Sequence, residues 1–98
     1  MSLKLVLAVR AEADLAHIRS YLRDRNPAAA ERVRLRIRQT LSLLCDYPNI
    51  GRPTIKDGVL VSVVPRFHYK IYFSVIGDQL IVLHVRHGAQ QEPDADDL

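Results

Sequence analysis

Cysteine is almost absent from this 98-residue chain. Cys45 is the only one, so no internal disulfide can form, and a reducing cytoplasm is the expected compartment. No apolar run approaches the roughly 20 residues that cross a bilayer as a helix. The opening Met1-Ser2-Leu3-Lys4 has neither the charged segment nor the cleavage site of a secretory leader. Metal-ligand spacing is missing too: His17, His68, His84 and His87 include no i,i+4 pair on a helix and no carboxylate beside them at ligand distance. Gly51 and Gly58 lack the spacing and the strand-loop-helix setting of a phosphate-cradling loop. Neither metal nor cofactor is therefore expected. Aromatics number only six, and most fall in apolar runs, which disfavours a freestanding nucleic-acid module that stacks bases. There is no internal repeat.

What remains is one basic domain with an acidic end. Ninety-eight residues hold a single core, assigned to residues 1–91. The tail, residues 92–98, has four of the eleven acids and no base, and its composition predicts disorder. Residues 1–91 thus carry fourteen Lys/Arg against seven Asp/Glu, a net +7. Such a body suits an anionic partner, either nucleic acid or an acidic protein segment.

Periodicity predicts an α+β fold. Leu3, Leu5, Leu7 and Val9 alternate as a first strand that joins the sheet at an edge. Leu15, Ile18 and Leu22 recur at helical spacing over 11–25. A second helix over 27–47 presents Val33, Ile37, Leu41 and Leu44. Asn26 is placed as its N-cap and Pro27 at its first position; so short a link makes the two helices an antiparallel hairpin. Tyr47-Pro48 ends the second helix, because proline pushes the preceding residue out of the α region. Residues 48–58 read as turns. Strands near 59–64, 67–76 and 79–87 complete a three-stranded antiparallel meander, its tightest turn at Gly77-Asp78. A two-residue loop there sets Tyr69 opposite Arg86 and Ile71 opposite His84. A three-residue loop sets Tyr69 opposite His87 and Ile71 opposite Val85. The second keeps one face apolar throughout and is expected on that ground, with Lys70, Tyr72, His84 and Arg86 on the other face; a bulge could mix the two. Cys45 reads as a buried core thiol, since a helix C-terminus raises thiol pKa.

Four segments in this order resemble one family: Asn26-Pro27-Ala28-Ala29 before the helix with Arg32, Arg34, Arg36 and Arg38, then Gly51-Arg52-Pro53, Tyr69-Lys70-Ile71-Tyr72, and Val85-Arg86-His87-Gly88. Together they resemble the RelE/ParE superfamily of toxins, over roughly residues 3 to 90 and closest to the ParE branch. The resemblance implies a bacterial type II toxin–antitoxin pair, of the plasmid-stabilisation kind, with a cognate antitoxin as partner. It implies inhibition of DNA gyrase by binding, with no catalytic residues, and Arg52, Lys56, Arg66, Arg86 and His87 as candidates for contact with the target. The alternative is a ribosome-dependent mRNA endoribonuclease like the RelE branch. Cleavage by the ribose 2′-OH needs a base, an acid and cations, and the matching candidates are Arg66, Lys70, Arg86 and His87. Against it, Gly88 stands where some nucleases place an aromatic, and Asp57 is the only acid in the 48–58 loop. The bland reading of His87 is a strand-end residue packing on Tyr69. The antitoxins of this family wrap their toxins with an acidic and apolar segment. The candidates for that contact are apolar residues left over once each element has one core face: Leu35, Leu43, Leu60, Ile76, Leu80 and Val82.

Overall fold

The structure is a computed structural model, and it describes residues 2–88 and 98. The expected acidic tail lies, apart from Leu98, outside the described residues. Strand β1 is Lys4–Leu7, helix α1 Val9–Arg25 and helix α2 Pro27–Asp46. A single 3-10 turn, Pro48–Ile50, leads to β2 (Arg52–Pro53), β3 (Leu60–Val63), β4 (Tyr69–Ile76) and β5 (Gln79–His87). The strands form one sheet in the order β1-β5-β4-β3-β2. β1 runs parallel to β5, and every other pair is antiparallel. The α+β expectation holds: an N-terminal edge strand, a helical hairpin and a β3-β4-β5 meander.

Asn26 joins the hairpin by serving both helices. Its backbone N–H donates to Leu22 O at 2.7 Å, closing α1. Its side-chain Oδ1 accepts from the N–H of Ala29 at 3.1 Å, opening α2. α2 buries Val33, Ile37, Leu41, Leu44 and Cys45 against Ile71, Phe73, Leu80, Val82 and Val85 of the sheet. Burial pushes the Cys45 thiol above its ordinary range, and neighbouring Asp46 adds to the effect.

Four details differ from the sequence expectation. The first strand stops at Leu7 instead of Val9, since α1 begins at Val9 and takes the place alongside β5 that more strand would need. Residues 67 and 68 are not strand, because Arg66 and His68 sit at φ 77° and 59° and turn the chain before Tyr69. β2 was read as turn; its two residues pair with Val61 and Leu60, and Pro53 is tolerated at this sheet edge. The fourth detail concerns the last hairpin, which uses both registers. Ile76 faces Gln79 and Phe73 faces Val82, then Tyr72 faces His84 and Tyr69 faces His87. Leu83 is the extra residue of a bulge between them. Gly77, at φ 60°, takes the left-handed conformation of the tight turn. The bulge returns Val85 to the core face, and it leaves Arg86 beside Lys70 on the face turned away from the helices.

Candidate functional site

Two surfaces gather the chemistry. The first lies where β4 starts and β5 ends. Cross-strand pairing puts Lys70 opposite Arg86 and Val63. The adjacent row, Arg52, Val61, Tyr72 and His84, shares the same face. Three of the expected cations, Arg52, Lys70 and Arg86, therefore occupy one side of the sheet. Arg66 and Lys56 are exposed in the flanking loops. Tyr72 and His84 are buried on this side, ring edge to ring face with centroids 6.5 Å apart.

A cavity of about 470 Å³ opens at the strand ends, lined by Val63, His68, Lys70, His87 and Gly88. Of the expected nuclease set, Lys70 and His87 are in its wall, and Arg66 and Arg86 are not. His68 was not singled out from sequence. Its only signal was its position just ahead of the strand, and its left-handed backbone is what turns it toward this end of the sheet. The His68 carbonyl accepts the Gly88 N–H at 2.6 Å. A Cβ on Gly88 would lie 2.8 Å from that same oxygen, so no aromatic fits after His87 without moving the turn. His87 stands edge-on to Tyr69 at 5.2 Å and 84°, the packing of the bland reading. Burial, with Tyr21 nearby, pushes the Tyr69 phenol above its usual range. The described wall offers one ammonium and two imidazoles and no carboxylate. It can hold a phosphate-like anion, and an imidazole could move a proton there.

The second surface is a groove of about 540 Å³ between the helices and β1. Leu15, Ile18 and Leu22 line one wall, Val33, Ile37 and Leu41 the other, with Leu3 and Leu5 at the end. At 100° per residue the alternating arginines of α2 split into two rows. Arg32 and Arg36 fall outside the groove wall, whereas Arg34 and Arg38 line it together with Arg19 of α1. Arg34 is held by Glu31 through two hydrogen bonds, at 2.7 and 3.1 Å; these also draw the Glu31 carboxyl below its ordinary value. Their helical spacing sets Leu15, Ile18 and Leu22 of α1 facing Val33, Ile37 and Leu41 of α2. They leave a trough because α1 keeps Leu15, Ile18 and Leu22 only partly buried.

The apolar candidates for antitoxin contact need correction. Leu80 and Val82 have no exposed surface, because the register of β5 turns them onto the helices. Leu60 is half-buried and packs on the same core. Leu35 and Leu43 on α2 and Ile76 on β4 are exposed, but none of the three is in the groove wall. Among the described residues no helix is long and apolar enough to cross a membrane.

Comparison with known proteins agrees with this geometry. Residues 5–92 match the family described as ParE toxin of type II toxin–antitoxin system, parDE. The toxin RelE2 of Caulobacter vibrioides is 34% identical over 82 residues, spanning 83% of this chain and 90% of that protein. Among solved structures, the chromosomal ParDE system of P. aeruginosa superposes with a TM-score of 0.78 at 24% identity, covering 88% of this chain and 96% of that one. The toxin–antitoxin complex RelBE2 of Mycobacterium tuberculosis gives 0.60 at 16% identity, over 89% of this chain and 99% of that one. Free RelE of E. coli gives 0.62 at 14%, over 91% and 86%. This chain belongs to the ParE toxin family of type II toxin–antitoxin systems.

Proposed function

We propose that this toxin poisons DNA gyrase in the cytoplasm by binding it, and that an antitoxin silences it by seating an acidic, apolar segment in the helix groove. The observation that carries the second half is the groove itself, an apolar floor rimmed by Arg19, Arg34 and Arg38. An amphipathic segment buries its apolar side there while its carboxylates meet the guanidiniums. The first half rests on family membership and on the make-up of the strand-end site. Its cations and imidazoles suit contact with an anionic or acidic surface, with Arg52, Arg66, Lys56, Arg86 and His87 as the contact set.

Cavity composition favours one second reading, mRNA cleavage on the ribosome. His68, Lys70 and His87 stand in one wall. One imidazole would take the 2′-OH proton, the other would give a proton to the leaving 5′-oxygen, and Lys70 would stabilise the phosphorane charge. The deciding experiment is induction of the toxin, with gyrase supercoiling measured in vitro and transcripts mapped in the cell. Supercoiling is expected to fall while transcripts stay intact. His87→Ala should then weaken inhibition by less than about 30-fold, as for a polar rim contact worth below ~2 kcal/mol. Codon-phased cuts that vanish in His68→Ala or His87→Ala would replace gyrase with the nuclease.

A further inference from the structure

We propose that Asp14 is a positioning residue that locks the register of the last strand and thereby aims Arg86 and His87. The proposal rests on the strand-end site being the toxic surface. β1 accompanies β5 only as far as Val82, where Ala8 N–H donates to Val82 O at 2.9 Å. Beyond that point β5 has the Leu83 bulge and then Tyr69-to-Tyr72 on one side, and among the described residues no strand on the other. α1 runs along this open edge instead. Its Asp14 Oδ2 accepts the N–H of Val85 at 3.0 Å, a bond that a longer β1 would otherwise have supplied. The side chain spans 71 residues of sequence to make that contact. Arg10 holds the second oxygen at 3.3 Å from the preceding helical turn, and Asp14 Oδ2 lies 4.0 Å from His84 Nδ1.

The bond falls where the strand has two registers to choose from. Without the bulge, the turn-proximal register would continue and bring Arg86 opposite Tyr69 and His84 opposite Ile71. A slip of one residue exchanges the faces of every side chain beyond it. Arg86 would leave Lys70 and point toward the core, and His87 would leave Tyr69. Asp14 fixes the Val85 N–H on the edge side and so holds the bulged alternative. Antitoxin binding should not depend on it, since Asp14 is not in the groove wall.

The test uses the intact toxin and three readouts. In the parent, native-state hydrogen exchange should show the Val85 amide protected at least 100-fold; an unprotected Val85 amide overturns the proposal without any variant. Asp14→Ala should accelerate that exchange at least 100-fold, abolish the Tyr69–His87 ring contact seen by NMR, and raise the dose for half-inhibition of gyrase at least tenfold. Asp14→Asn keeps an acceptor oxygen and should restore all three to within about threefold. An Asp14→Ala protein that keeps the Tyr69–His87 contact shows a merely structural bond and overturns the proposal, as does Asp14→Asn failing as badly as alanine. Should gyrase not be the target, the parent protein fails to inhibit supercoiling, and the exchange and NMR readouts still decide the register lock.

Discussion

Gly51 is the position where a single missing atom is most strictly required. A Cβ there would lie 2.5 Å from Phe73 Cζ and 2.9 Å from its Cε1. Phe73 is fully buried and cannot swing into solvent. Gly51→Ala is therefore expected to cost about 1–3 kcal/mol, the usual range for overpacking. Combining it with Phe73→Leu should recover part of the loss, a coupling of at least ~0.5 kcal/mol in urea unfolding; strictly additive losses would mean the ring is not what the methyl meets. A second residue-scale effect is alkaline. Burial raises Tyr69 and Cys45 above their ordinary values, so in both cases the folded protein disfavours the anion. Stability from these groups is complete below the unfolded values, about 8.5 for the thiol and about 10 for the phenol, and is lost as pH climbs through the higher folded values. Urea midpoints should fall between pH 8 and 11, and Tyr69→Phe should flatten the upper part of that fall. An unchanged slope in the phenylalanine variant would remove Tyr69 as a cause.

At the scale of elements, what was legible in the sequence was whatever depends on nearest neighbours. Asn26-Pro27, the Tyr47-Pro48 stop, the helical periodicities and the Gly77 turn are local chemistry, and the corresponding elements lie within a few residues of expectation. Two-residue β2 escaped because Arg52-Pro53 carries no strand pattern and is recruited by its partner, β3. The bulge is similar: both of its registers were written in the sequence, but the choice between them involves contacts distant in sequence, the burial of Val82 and Val85 and the Asp14 carboxylate on the Val85 N–H. That same long-range fact reverses the role of Leu80 and Val82. The sequence leaves both among the apolar candidates for antitoxin contact, whereas β5 turns them into the core. With both fully buried, Leu80→Asp with Val82→Asp would put two carboxylates into the core without partners. The loss should exceed about 4 kcal/mol, most of the stability of a domain this size. Circular dichroism should find the double variant unfolded; a native-like spectrum and melt would contradict the register of β5. For the candidate site, sequence supplied Lys70, Arg86 and His87 because basic residues at strand ends are conspicuous. It missed His68, whose place depends on two left-handed residues of the β3–β4 turn.

At the scale of the whole molecule, positive charge among the described residues gathers around two features. One is the sheet side holding Arg52, Lys70 and Arg86; the other is the groove rim of Arg19, Arg34 and Arg38. Arg34 and Arg38 are exposed, and Arg34 pairs with Glu31, also exposed, so neither contributes much to folding. Reversing both, Arg34→Glu with Arg38→Glu, should shift the melting temperature of the free toxin by no more than a few degrees, as for other surface substitutions. Association with an acidic antitoxin should slow by roughly tenfold or more at low salt, because steering depends on the complementary field. Raising ionic strength toward 0.5 M shortens the Debye length to about 4–5 Å, and the parent and variant rates should then converge. Stopped-flow association at several salt concentrations measures this directly. Equal rates for parent and variant at low salt would mean that the antitoxin enters by another face, and would withdraw the groove from the proposed mechanism.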